Sequence, residues 1–319
     1  MTDRKSKTRN SRLVFTGRRS VTAEVSYGVA TVSIPPNHRR GETETSSFLA
    51  SLVPISAYDY DAHYMSVKAV SAQSKDQFFH SFEVLLKDSD TALLFIHGYN
   101  VKFDDAVMRA AQMKYDLQFK GPVLLYSWAS RGKLKGYTAD EETAQWSARN
   151  LAPVLKEVAT STGARRLVII AHSMGNRVLT LALESLANQH VSLSATLKEV
   201  VLAAPDIDTG VFEQMATAIR SSASHVTIYE STKDEALVAS RKFHDFSRLG
   251  DAKPIHVIAG FDVLDASTLE TDFLGHSYFA SNDSILADIA DLLDGKSSPM
   301  SRNRWKQEES SSLIWFSPR

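Results

Sequence analysis

The residue best placed to do chemistry is a serine. Leu167-Val-Ile-Ile-Ala-His-Ser-Met-Gly-Asn-Arg carries an apolar strand into Ala171-His172-Ser173-Met174-Gly175, and a helical stretch, residues 174–188, follows. A serine flanked by small residues at minus two and plus two, between a strand and a helix, is a nucleophile elbow. The turn is so tight that bulk at either flank would strike the neighbouring strand or helix. Alanine stands here where the motif has its first glycine, a change the turn tolerates. The following helix would aim backbone N–H groups and its positive dipole end at the serine. A serine so placed attacks acyl carbons. It then needs a base, an acid to orient the base, and donors for the oxyanion.

The base expected is His276, in Leu274-Gly275-His276-Ser277-Tyr278-Phe279. The acid expected is Asp234, in the loop that follows Val226-Thr-Ile-Tyr-Glu-Ser-Thr-Lys. Ser173, Asp234 and His276 then occur in the chain order Ser-Asp-His that goes with this elbow. Asp206, in Ala204-Pro-Asp-Ile-Asp, is the alternative acid, one strand earlier; Asp208 suits a helix cap. Other histidines are weaker candidates. His225 and His256 open strands, which puts them at the opposite edge. His244 lies in a charged helical stretch, and His172 is expected to pack away from the serine.

The run Leu93-Leu-Phe-Ile-His-Gly-Tyr-Asn supplies the oxyanion site. Its donors would be the backbone N–H of Tyr99 and that of Met174. Gly98 lets the backbone come close, and His97 is expected to hold the loop by a hydrogen bond. His97, Gly98 and Trp128 are the candidate pocket-lining residues. For Trp128 and Tyr99, lining an acyl pocket and packing in the core are both open.

These residues need a frame. Short runs rich in Val, Ile and Leu at 92–96, 123–128, 167–171, 199–203, 225–229 and 255–258 suit strands buried on both faces. Helical stretches separate them; Phe103, Val107, Ala110 and Leu117 recur at helical spacing. Strand–helix alternation means an α/β fold with a mostly parallel sheet flanked by helices. Right-handed crossovers bring every strand's C-terminal end to one edge, where the serine, acid and histidine converge. Upstream, 12–15, 29–34 and 64–70 read as strands and 75–87 as a helix, placed as extra strands leading into the sheet. Residues 208–224 leave room for one helix, so no large lid domain is expected. The 35–60 segment or residues 130–138 would roof the site instead. In the latter, Arg131, Lys133 and Lys135 either draw an anionic substrate or form a solvated surface loop.

Composition narrows the classes. Of 319 residues, 43 % are hydrophobic and 23 % charged, a soluble globular balance, and the net charge of −1 gives no pull toward nucleic acid. The absence of cysteine excludes disulfides, thiolate nucleophiles and Cys-ligated zinc. Neither a metal nor an organic cofactor is expected, and the partner expected is a small-molecule acyl substrate. The polar N-terminus lacks the apolar core of a secretory signal, and no apolar run approaches the ~18 residues of a membrane span. A cytoplasmic location is the expectation. Residues 1–11, a basic arm, and 295–319 are expected to be disordered tails around one domain at 12–294.

Taken together, Phe95-Ile-His-Gly-Tyr-Asn, Tyr126-Ser-Trp-Ala-Ser-Arg-Gly, Ala171-His-Ser-Met-Gly-Asn-Arg, Ala203-Ala-Pro-Asp-Ile-Asp and Leu274-Gly-His-Ser-Tyr-Phe resemble a family of bacterial α/β hydrolases. That family was long catalogued as a domain of unknown function and described as esterase/lipase-superfamily enzymes. The match reaches upstream to Tyr27-Gly and Val32-Ser-Ile-Pro-Pro-Asn-His, so it covers roughly residues 12–294. The resemblance implies the α/β-hydrolase fold and a triad on Ser173, Asp234 and His276. Two departures stand out: Ala129 occupies a position where the family usually has proline, and the export or lipid-anchor signal many members carry is not seen. The activity expected is hydrolysis of a carboxylic ester through an acyl-enzyme. The alternatives are an acyltransferase or peptidase using the same triad, or a non-catalytic binding or scaffold protein.

Overall fold

The structure, a computed structural model, describes residues 1–9, 12–45, 57–269, 278–302, 304–308 and 314–316. The chain opens with strands β1 (Arg4–Arg9), β2 (Arg12–Arg19) and β3 (Tyr27–Ser33), helix α1 (Ala57–His63), β4 (Ser66–Gln73) and α2 (Lys75–Leu85). Alternation then begins: β5 (Thr91–Ile96), α3 (Phe103–Asp116), β6 (Val123–Tyr126), α4 (Tyr137–Ser161), β7 (Arg166–His172), α5 (Gly175–Asn188), β8 (Leu197–Ala203), α6 (Thr209–Ser222), β9 (His225–Glu230), α7 (Glu235–His244) and β10 (Asp262–Asp265). The chain closes with α8 (Tyr278–Ser281), α9 (Asp283–Leu293), β11 (Lys306–Gln307) and β12 (Ile314–Phe316).

Among the described residues eight strands form one sheet, in the order β11-β12-β10-β9-β8-β7-β5-β6. All its pairings are parallel except β11 with β12. The central strands β5, β7 and β8 are apolar and buried along almost their whole length because helices cover both faces. Helix α5 buries Val178, Leu179, Ala182, Leu183 and Leu186, at the three- and four-residue spacing of one helical face. Each of the valine and leucine side chains contributes roughly 1.5–3 kcal/mol when fully buried. The register makes the strand ends level: Ile96 pairs with Ala171, Ala171 with Leu202, Leu202 with Ile228, and Ile228 with Val263. The segments after β5, β7, β8 and β9 therefore leave the sheet along one edge. Between β8 and β9 the chain holds the single helix α6 and no lid domain. Among the described residues no helix is long and apolar enough to cross a membrane.

Three expectations need correction. Residues 255–258 are not a strand; the short β10 takes the place beside β9. The strands upstream of residue 90 do not lead into the main sheet. They form two separate antiparallel pairs, β1–β2 and β3–β4. Their residues are largely exposed or half-buried, which suits a sheet with one wet face and not one covered on both.

The expected tails, as far as they are described, are part of the fold. Residues 4–9 form β1, and Arg4 is buried with its guanidinium donating to Ser127 Oγ (2.9 Å), the Ser130 carbonyl (2.8 Å) and the Val101 carbonyl (2.9 Å). Near the other end Arg302 is buried and pairs with Asp288 at 2.9 Å, and Trp305 Nε1 donates to the same carboxylate at 2.6 Å. Trp315, in β12, is buried within the sheet's second core. Polar sequence orders here because its charges find buried partners from distant parts of the chain.

Candidate active site

Ser173 follows β7 directly and sits with φ 52°, in the left-handed region. For a non-glycine residue that conformation costs on the order of 1–3 kcal/mol and must be held by its surroundings. The Ser173 N–H donates to the Ala203 carbonyl at 3.0 Å, tying the turn to the end of β8. Its carbonyl accepts from the Asn176 backbone N–H (3.0 Å) and from Asn176 Nδ2 (2.9 Å). The small flanks have a steric cause. A Cβ on Gly175 would lie 2.3 Å from the His97 carbonyl oxygen. A Cβ on Gly98 would lie 2.8 Å from the Cβ of Ser173. The loop after β5 thus passes directly against the serine, and only glycine fits at the contact.

That loop carries the backbone N–H of Tyr99, while Met174 stands at the N-cap of α5. Among the described residues neither N–H has a hydrogen-bond acceptor. His97 holds the loop from beneath. Its Nε2 lies 3.1 Å from an Arg4 guanidinium nitrogen, which can only donate, so Nε2 accepts and Nδ1 carries the proton to the Gly98 carbonyl at 2.8 Å. Burial, with the Arg4 charge beside it, pulls the imidazole down to about 3, so it stays neutral. Trp128 stacks on His97 with ring centroids 5.4 Å apart and donates to its carbonyl at 2.6 Å. It is wholly buried and belongs to the core. Tyr99 is half-buried; its hydroxyl donates to the Leu134 carbonyl, and its ring meets the edge of Tyr137 at 5.1 Å. Residues 130–138 therefore lie across this side of the site, with Arg131, Lys133 and Lys135 exposed.

The two candidate acids have different surroundings. Asp206 is buried, with Oδ2 accepting from the Tyr137 hydroxyl and Oδ1 from Ser240 Oγ at 2.7 Å. Arg177 and Arg248 each bring a guanidinium nitrogen to 3.7 Å. Burial alone would raise this carboxyl, yet Arg177, the two hydroxyls and Arg248 together hold it below the usual carboxylate range. Asp234 is also buried and is the N-cap of α7, its Oδ1 accepting from the Leu237 N–H at 3.0 Å. It leaves β9 on the same edge from which Ser173 leaves β7.

His276 and Ser277 lie outside the described residues. The chain that follows them is fixed. Phe279, three residues after His276, stacks on His172 with centroids 4.3 Å apart and on Phe95 at 5.9 Å. His172 precedes Ser173, so this contact sets Phe279, at the start of α8, beside the elbow.

Comparison with known proteins supplies the family. The profile of an alpha/beta hydrolase family of unknown function (DUF900) matches residues 73–294. The chain belongs to that family. It is also 27 % identical over 164 residues to the uncharacterized protein alr1448 of Nostoc sp. (strain PCC 7120). That match covers 41 % of this chain and 42 % of the relative, so the chain spans less than half of the relative's length. Among solved structures, an esterase from Pyrobaculum calidifontis is 12 % identical, with a TM-score of 0.38 over 70 % of this chain and 92 % of that one. A lipase-esterase related protein from Clostridium acetobutylicum is 10 % identical, with a TM-score of 0.35 over 65 % of this chain and 95 % of that one.

In this α/β hydrolase one group of residues beside the elbow escapes sequence reasoning. Tyr137, Arg177, Ser240 and Arg248 come from α4, α5, α7 and the loop after it, and converge on Asp206. Glu141 extends the group, pairing with Arg177 at 2.6 Å and with His244 at 2.8 Å. Only Arg177, one turn after Ser173 on the elbow helix, had a position that could have drawn notice. Among the described residues no three His, Asp or Glu side chains gather as metal ligands.

Proposed function

We propose that this α/β hydrolase is a serine hydrolase that cleaves a carboxylic ester, or a related acyl bond, in a small-molecule substrate through an acyl-enzyme. The observation that carries the reading is the left-handed Ser173 at the strand–helix turn, with Gly98 packed against its Cβ. Ser173 Oγ attacks the acyl carbon while His276 takes its proton. The oxyanion forms opposite the N–H groups of Tyr99 and Met174. His276 then gives the proton to the departing alkoxide, leaving the acyl group on Ser173. Water, deprotonated by His276, attacks the acyl-enzyme and releases the carboxylic acid and the free serine. Asp234 fixes the histidine tautomer and stabilises the imidazolium. Asp206, saturated by its own partners, is assigned to structure, and so is His97.

A fluorophosphonate probe and a panel of acyl esters of graded length test this. Wild type should label and turn over. Ser173→Ala should lose labelling and on the order of 10⁶-fold in kcat, the scale for removing a triad serine, with its melting curve little changed. Failure of folded wild type to label would overturn the reading. Added alcohol or amine acceptors separate hydrolysis from acyl transfer in the products.

A further inference from the structure

A cavity lies away from the elbow. β6 is the last strand of the main sheet, and the β3–β4 pair packs beside it without joining its ladder. Between them is a cavity of about 270 Å³, partly open to solvent. Its walls come from β2, β3, β4, α2, α3 and β6, with Phe15, Val70, Phe82, Val107 and Leu125 among them. Ser173, Tyr99 and Met174 are not part of it.

One cationic side chain stands in this apolar lining. Lys114, on α3, donates to the Gly121 carbonyl at 2.6 Å, and its ammonium sits 5.9 Å from the ring centre of Phe119. Among the described residues it has no carboxylate within ion-pair distance. The lysine is exposed as a residue, which puts it at the rim of the lining and not in its depth. Leu85 and Val29, which also line the cavity, are about half exposed. Apolar walls favour an aliphatic tail by roughly 0.8 kcal/mol per buried methylene. The Lys114 ammonium, which has no carboxylate partner among the described residues, favours one negative charge on the head. At ~30 Å³ for each water-sized group, the space takes about nine such groups.

We infer that the cavity between the β3–β4 pair and β6 binds an aliphatic monocarboxylate of medium chain length, tail inside and head group on Lys114. The inference goes beyond the proposed hydrolysis and does not rest on it.

Calorimetric titration of the wild-type chain with sodium decanoate, and separately with decanol, tests it. Decanoate should bind at one saturable site. Lys114→Gln should weaken decanoate about tenfold, the loss of one charge-assisted contact, and leave decanol unchanged. Ala30→Trp, from the cavity wall, should abolish binding of both. Ala111→Phe, from the α3 side, is a second filler should the first not give a cooperative melt. Absence of saturable decanoate binding to wild type would overturn the inference. So would unchanged decanoate affinity in Lys114→Gln, or undiminished binding in a folded filled variant, which would place the ligand elsewhere, the Ser173 site included. A chain that binds decanoate in the expected pattern yet ignores fluorophosphonate would overturn the hydrolase reading alone.

Discussion

Two turns lie side by side at one edge of the sheet. The first follows β7 and carries Ser173; the second follows β8 and carries Asp206. Both polar residues are 3 % exposed. Both turns hold a residue in the left-handed region, Ser173 at φ 52° and Ala204 at φ 45°. What surrounds the polar atoms differs. Each oxygen of Asp206 accepts a hydroxyl proton, and two guanidinium groups stand at 3.7 Å. Among the described residues the Ser173 hydroxyl has no hydrogen-bond partner. A buried charge saturated by partners serves the fold, because moving any of them leaves another unpaired in a dry place. A buried hydroxyl left uncommitted serves chemistry, because it can enter a new bond without breaking old ones. On the proposed reading the contrast gives Ser173 to the chemistry and Asp206 to the structure.

The largest effect that could break this contrast comes from exchanging the acids. Asp234→Asn should cost roughly 10⁴-fold in kcat on an ester, the scale for a mis-set histidine tautomer, with modest loss of stability. Asp206→Asn should do the reverse. Turnover should fall far less, while unfolding in denaturant should register a loss of about 3 kcal/mol, from Arg248 left without its charge partner and Arg177 left with Glu141 alone. If Asp206→Asn is the variant that kills turnover, the acid belongs to β8 and the division of roles collapses.

How much of this was legible in the sequence follows from the kind of constraint. The elbow was readable because a steric rule acts within five residues: Gly175 is small because the His97 carbonyl would meet anything larger. β5, β7 and β8 were readable because burial on both faces leaves an unbroken apolar run. β10 was not, since Asp262-Val-Leu-Asp offers two apolar residues between two acids, and the more apolar 255–258 outweighed it. Arg4 and Arg302 read as tail residues because what buries them, Ser127 and Asp288, lies elsewhere in the chain or needs the fold to face it. The Asp206 group was hidden for the same reason: Tyr137 and Ser240 are its partners only in three dimensions.

The end of β9 offers a third case that sharpens the contrast. Glu230 is wholly buried, and its Oε1 has no hydrogen-bond partner among the described residues. Burial pushes its carboxyl well up from the ordinary range; the backbone N–H of His256 opposes this, while Asp265 and Asp251 add to it. One oxygen of this acid is without a partner among the described residues, like the Ser173 hydroxyl, but the group can charge. Its proton is held more tightly folded than unfolded. Its effect on stability is therefore absent below the unfolded pKa near 4.5 and grows unfavourable as pH rises toward the folded value. Glu230→Gln keeps an acceptor for His256 and cannot ionise. It should flatten the fall in stability as pH rises above about 4.5. Parallel pH profiles of melting temperature for the two proteins would show that Glu230 is not an isolated titrating group.

The smallest expected effect probes the strain at Ser173 itself. Ser173→Ala and Ser173→Gly both remove the hydroxyl, so neither should turn over. Only glycine also removes the Cβ that faces Gly98 and that disfavours φ 52°. The left-handed conformation costs an ordinary residue about 1–2 kcal/mol. Glycine's extra freedom in the unfolded chain offsets roughly 0.5–1 kcal/mol of the relief. The glycine variant should therefore unfold at slightly higher denaturant than the alanine variant, by less than about 1 kcal/mol. Ser173→Ala is the proper reference because it isolates the Cβ from the hydroxyl. An alanine variant as stable as the glycine one, or more so, would mean the turn holds no strain at this residue. The close packing of Gly98 would then serve only to place the Tyr99 N–H.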